Sequence, residues 1–114
     1  MTIHTYKEAN ALSEKVYTIE EIRSRISPIA LKYGVERVYL FGSYARGCAT
    51  EDSDINLRID KGRLRGLFAL SGMRLDICDA LDKNVDMLTT NSLDEDFLDK
   101  IHGDEVLIYK QSLT

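Results

Sequence analysis

Apolar positions recur along this chain with two different periods, and each change of period marks a new element. From Ile19 they fall at Ile22, Ile26, Ile29, Ala30 and Tyr33, the spacing of one helical face. Thr18 and Glu21 form a capping box ahead of this run, each side chain satisfying a backbone N–H that the helix leaves unpaired. Gly34 closes it, since glycine accepts the left-handed conformation that ends helices. Pro28, the only proline, falls inside the run. It predicts a kink or a division near Ser27, because proline lacks an N–H and crowds the preceding turn.

Val35–Phe41 is rich in β-branched and aromatic residues and predicts a strand. Gly42-Ser43 ends it abruptly; Tyr44–Arg46 predicts a short helix and Gly47–Asp52 a loop. Between Asp54 and Asp60 the period falls to two. Ile55, Leu57 and Ile59 point one way, and Asp54, Asn56, Arg58 and Asp60 the other. Leu64–Leu81 predicts a helix with Leu67, Phe68, Leu75 and Ile77 as core positions, although Gly66 and Gly72 weaken its helical preference. Val85–Thr89 predicts a third strand, Leu93–Ile101 a short helix and Val106–Tyr109 a last strand. Helix, strand, strand, helix, strand, helix, strand predicts an α+β fold, a small mixed sheet with helices packed on it. The first 17 residues show only a weak pattern (Ile3, Ala9, Leu12, Val16). They predict an N-terminal arm or short helix ahead of one domain over residues 18–114.

Composition narrows the class. A chain of 114 residues suits one domain, and 44% hydrophobic with 30% charged residues suits a folded, soluble one. A formal net charge of −4 argues against broad charge-driven nucleic-acid binding. No apolar run approaches the ~20 residues of a membrane span, and the N-terminus lacks an apolar signal core. The expectation is a cytoplasmic protein that binds no membrane. Cys48 and Cys78 lack metal-ligand spacing and His4 and His102 lie far away, so two reduced thiols are expected rather than a zinc centre.

Candidate chemistry concentrates in FGSYARGCATEDSDINLRID. A strand delivers Gly42-Ser43 at a sharp turn, where glycine lets backbone N–H groups approach a ligand closely. Ser43 adds a hydroxyl, and a helix opening at residue 44 would add a partial positive charge. These features suit a phosphate. Ten residues later the chain returns with Asp54 and Asn56 on one side of a strand, a spacing suited to divalent cations that bridge phosphate oxygens. Asp86, in Val85-Asp86-Met87-Leu88, either joins that cluster or faces water at a strand end. Arg46 is either a phosphate contact or half of a surface salt bridge.

These residues resemble the DNA polymerase beta-like nucleotidyltransferases, in particular their minimal (MNT) members and the antitoxin of HEPN–MNT toxin–antitoxin pairs. The resemblance rests on Lys32-Tyr33-Gly34-Val35, Leu40-Phe41-Gly42-Ser43-Tyr44-Ala45-Arg46-Gly47, Ser53-Asp54-Ile55, Gly66-Leu67-Phe68 and Val85-Asp86-Met87-Leu88, and covers about residues 18–110. It implies a polymerase beta-like fold and ATP as substrate. Gly42, Ser43 and Arg46 would hold phosphate. Asp54, Asn56 and Asp86 would ligate two Mg²⁺ ions, with Asp54 and Asp86 as the catalytic carboxylates. The implied reaction transfers AMP to a tyrosine of a HEPN ribonuclease toxin, the expected partner. The family pattern has Asp at position 56. Asn there keeps the shape but removes a charge that a hard cation favours, so reduced or abolished activity is expected. The alternative is a catalytically inactive antitoxin that neutralises its HEPN partner by binding. Tyr6, Tyr17, Tyr39 and Tyr44 are candidate docking aromatics, Tyr39 being the better core candidate.

Overall fold

A computed structural model describes residues 15–112. The elements are α1 (Ile19–Tyr33), β1 (Arg37–Phe41), α2 (Ser43–Arg46), β2 (Ile55–Asp60), α3 (Leu67–Leu81), β3 (Val85–Thr89), a 3-10 turn (Thr90–Ser92), α4 (Glu95–His102) and β4 (Val106–Lys110). The strands form one four-stranded sheet in the order β3-β2-β1-β4. β1 runs antiparallel to both β2 and β4, while β2 and β3 are parallel. The sheet is therefore mixed, as expected, and α3 is the crossover that a parallel pair requires.

The two ends of α1 follow the sequence signals. Thr18 Oγ1 accepts from the Glu21 N–H at 3.0 Å, and Glu21 Oε1 accepts from the Thr18 N–H at 2.9 Å. Gly34, at φ 72°, donates to the carbonyls of Ala30 and Leu31. Pro28 does not divide the helix, which runs unbroken from Ile19 to Tyr33. Pro28 is exposed, whereas Ile22 and Ile26 before it and Ala30 after it are buried. The packed face on both sides of the proline holds the two halves as one element.

Alternation decides the core. Leu57 and Ile59 of β2 lie opposite Leu40 and Val38 of β1, Ile55 lies opposite Val85 of β3, and all are fully buried. They meet Ile22, Ile26 and Ala30 of α1 and Met73, Ile77 and Leu81 of α3. Tyr17 is also buried, and its hydroxyl donates to the Leu81 carbonyl at 2.6 Å. Leu67, Phe68 and Leu75 are not core residues: they are 77%, 95% and 56% exposed, and of the four expected positions only Ile77 is buried. The helix also starts at Leu67 rather than Leu64. Leu64 is buried from within the preceding loop.

Tyr17 and Tyr44 are buried and so are not docking aromatics. Tyr39 is half-buried, and Tyr6 lies outside the described residues. The expected arm over residues 1–17 falls mostly outside them as well. Among the described residues no helix is long and apolar enough to cross a membrane, and Cys48 and Cys78 are free thiols.

Candidate active site

The sheet brings together segments that are far apart in sequence. Phe41, the last residue of β1, pairs with Asn56, and Asn56 pairs with Asp86 of β3. Register partners share a face, so Asn56 and Asp86 stand side by side on the face away from Leu57 and Ile59. Asp54 precedes β2 on that same side. Neither the Asp54 nor the Asp86 carboxylate has a hydrogen-bond or ion-pair partner among the described residues, and both are exposed.

Gly42 makes the turn at the end of β1. Its φ of 82° and ψ of −154° lie in a region open essentially to glycine alone. A Cβ at this position would stand 2.5 Å from Asn56 Nδ2. The Asn56 side chain therefore lies directly against the Gly42 backbone, and the turn and the β2 residue form one site. Ser43 opens α2, and its hydroxyl is free of partners among the described residues. A four-residue helix has little macrodipole; what this turn could offer an anion is the N–H groups that a first helical turn leaves unpaired and the Ser43 hydroxyl. Arg46 Nη1 stands 3.7 Å from Asp104 Oδ2, a long and exposed pair that contributes little to stability.

The loop from Gly47 to Asp54 is stitched internally and externally. The Cys48 N–H donates to the Ser43 carbonyl at 3.0 Å. Ser53 Oγ accepts from the Thr50 N–H at 2.9 Å, and the Ser53 N–H donates to the Thr50 carbonyl at 3.0 Å. From outside, Lys83 Nζ donates to the Glu51 carbonyl at 2.8 Å, and the Ile55 N–H donates to the Asn84 carbonyl at 3.1 Å.

Residues 24–114 match the profile of the family described as polymerase beta, nucleotidyltransferase. The chain belongs to that family. A candidate protein adenylyltransferase of Methanocaldococcus jannaschii is 40% identical over 88 residues, spanning 77% of this chain and 95% of the relative. Among solved structures, a candidate minimal nucleotidyltransferase is similar with a TM-score of 0.68 at 27% identity, over 79% of this chain and 95% of that one. The fold is also shared with a complex of MNT antitoxin and tri-AMPylated HEPN toxin from Shewanella oneidensis. There the TM-score is 0.64 at 17% identity, over 82% of this chain and 74% of that one.

Within this nucleotidyltransferase fold, Gly42, Ser43, Asp54, Asn56 and Asp86 converge at one end of the sheet, and Arg46 lies one helical turn away. The donors at the carboxylate position are two carboxylates and one carboxamide. No group of three His, Cys, Asp or Glu side chains able to hold a metal occurs among the described residues.

Two features escaped sequence reading. Lys83 is 1% exposed, and nothing in Lys83-Asn84 marks a buried lysine. Arg58, expected on the polar side of β2, is 5% exposed. Its guanidinium grips Glu105 through two hydrogen bonds of 2.6 and 2.8 Å, donates to Thr90 Oγ1 at 2.8 Å and lies 4.1 Å from the Tyr39 ring centroid. The hydrogen-bonded Glu105 outweighs the effect of burial and holds the guanidinium even more firmly protonated than usual. Its partner lies 47 residues away, so no local spacing reveals the pair.

Proposed function

We propose that this chain is an antitoxin-type protein adenylyltransferase that transfers AMP from ATP to a tyrosine of a HEPN ribonuclease partner in the cytoplasm. The carrying observation is the convergence of the Gly42-Ser43 turn with two unpartnered carboxylates, Asp54 and Asp86. The likeness to a candidate protein adenylyltransferase and the fold shared with an MNT antitoxin support the same reading.

In this reading the Gly42 turn, Ser43 and Arg46 hold the triphosphate. The donor set, all oxygen and free of competing partners, fits a divalent cation such as Mg²⁺. Asp54, Asn56 and Asp86 would hold it, and when bound it would neutralise charge on the phosphate oxygens. The tyrosine oxygen bonds to the α-phosphorus, the bond to pyrophosphate breaks, and the tyrosine proton passes to a carboxylate, the role this reading assigns to Asp86. Asn56 supplies a neutral oxygen where a third charge would strengthen cation binding. Transfer is therefore expected to be slower than in the Asn56→Asp variant.

A second reading, inhibition by binding alone, is favoured by one observation: only two of the three positions carry charge. One experiment separates the two. The chain and its Asn56→Asp variant are incubated with Mg²⁺-ATP and a HEPN ribonuclease that binds the chain, and the partner is weighed by mass spectrometry. The proposal expects AMP-sized mass gains that form faster with Asn56→Asp. Toxin inhibition without nucleotide, and no mass gain with either chain, would establish the binding reading instead.

A further inference from the structure

Lys83 is the most deeply buried charged residue among those described, and the proposed reaction leaves it unused. It is 1% exposed, and no carboxylate lies within ion-pair distance among the described residues. Burying an ammonium without a counter-charge is costly, so its one hydrogen bond needs a reason. That bond, 2.8 Å to the Glu51 carbonyl, is the one side-chain tie described from another part of the fold to the loop tip before Asp54. The same residue stands three positions before Asp86, and its neighbour Asn84 accepts from Ile55 at the head of β2. Lys83 thus joins the loop that carries one free carboxylate to the strand that carries the other.

We propose that Lys83 is a positioning residue that sets the separation of Asp54 and Asp86, and through it the affinity of the site for a divalent cation. This rests on the reading of the site as a cation-dependent nucleotidyltransferase. Without the Lys83 tie, the Ile55–Asn84 bond still holds the far end of the loop at the head of β2 and the Thr50–Ser53 bonds still shape it, but its tip before Asp54 is no longer fixed to the segment that leads into β3. Asp54 would then occupy a wider range of positions relative to Asp86, and each bound cation would have to order it.

The test is Mn²⁺ binding by the full chain, followed by electron paramagnetic resonance and without any transfer assay. It compares the natural sequence, Asn56→Asp, Lys83→Met and the double variant Asn56→Asp/Lys83→Met. Lys83→Met is expected to weaken Mn²⁺ roughly tenfold in both backgrounds, about 1.4 kcal/mol, with the helical circular dichroism retained. Unchanged Mn²⁺ affinity in folded Lys83→Met overturns the proposal and leaves the nucleotidyltransferase reading intact. Absence of Mn²⁺ binding by both the natural chain and Asn56→Asp overturns both. Should Lys83→Met fail to fold, the Lys83 ammonium resonance of the ¹⁵N-lysine-labelled natural chain decides. A signal protected from water that shifts as Mg²⁺ saturates the site supports the role; a signal indifferent to saturating Mg²⁺ overturns it.

Discussion

Position 42 tolerates no side chain for two separate reasons. Its backbone conformation is strained for any L-residue, and an added Cβ would meet Asn56 Nδ2 at 2.5 Å. Gly42→Ala is therefore expected to lower stability by roughly 1–3 kcal/mol and to displace Asn56. Urea denaturation measures the first effect, and an unchanged midpoint would refute the strain. Arg58 is the opposite kind of residue, a large side chain held by its surroundings. Its Glu105 partner is equally inaccessible, with side-chain exposures of 6% for both. Arg58→Met leaves the Glu105 carboxylate buried without its cation, and a loss of about 3–5 kcal/mol is expected. Glu105→Gln/Arg58→Met should recover part of that loss, because the stranded charge is gone. These two residues mark the range of what a sequence discloses. Gly42 was legible because a glycine between a β-branched run and a polar turn carries its own conformational signal. Arg58 was not, because its partner lies in the turn before β4, whose position only the completed sheet determines.

At the level of elements, sequence patterning succeeded where one face differs sharply from the other. The apolar positions of β2 alternate, and its buried apolar set is the expected Ile55, Leu57 and Ile59. α1 carries its own stop and start signals. α3 lacks such contrast, because Leu67, Phe68 and Leu75 lie on the water side while Met73, Ile77 and Leu81 face the core. A helix apolar on several sides does not tell which side packs. The structure yields a clear contrast in outcome. Phe68→Ser is expected to change stability by no more than about 0.5 kcal/mol. Ile77→Ala, on the same helix, should remove about 2–5 kcal/mol through the cavity it opens. Equal losses from the two substitutions in thermal melting would contradict the orientation of α3. The candidate site divides in the same way. The turn and Asp54 were legible from spacing within one continuous segment. The placement of Asp86 depended on the parallel register of β3 with β2, which no local pattern encodes.

For the whole molecule, the packing of α1 on α3 carries a pH dependence. Tyr33 Oη donates to Asp76 Oδ2 at 2.8 Å, and Lys32 Nζ reaches the same oxygen at 3.3 Å. The Tyr33 hydroxyl first, and then Lys32, hold the Asp76 carboxyl below its ordinary value of 3.8, while Asp76 pushes the Tyr33 hydroxyl above its ordinary 10.0. A depressed carboxyl stabilises the fold above its unfolded value, and that stability is lost as pH falls through the lower folded value. A raised hydroxyl stabilises below its unfolded value, and that contribution is lost as pH rises through the folded one. The helix pair is thus firmest between the two limits and loosens at both. Tyr33→Phe is expected to flatten both limbs of a melting-temperature profile from about pH 2 to about pH 11. An acid limb as steep as that of the natural chain would show that Tyr33 does not control Asp76.

The mixed sheet also orders events in time. β1 and β2 are antiparallel neighbours joined through residues 42–54, a shorter path than the crossover over residues 61–84 that leads to β3, so the Gly42 turn and Asn56 can meet first in folding. β3 reaches β2 only after the whole of α3 has been laid down between them, and non-local parallel pairing is slow to close. If Asp54, Asn56 and Asp86 form the proposed ligand set, that set is expected to mature in two stages, with Asp86 arriving last. Cation capture during refolding should lag behind formation of the β1–β2 pair and report the docking of β3.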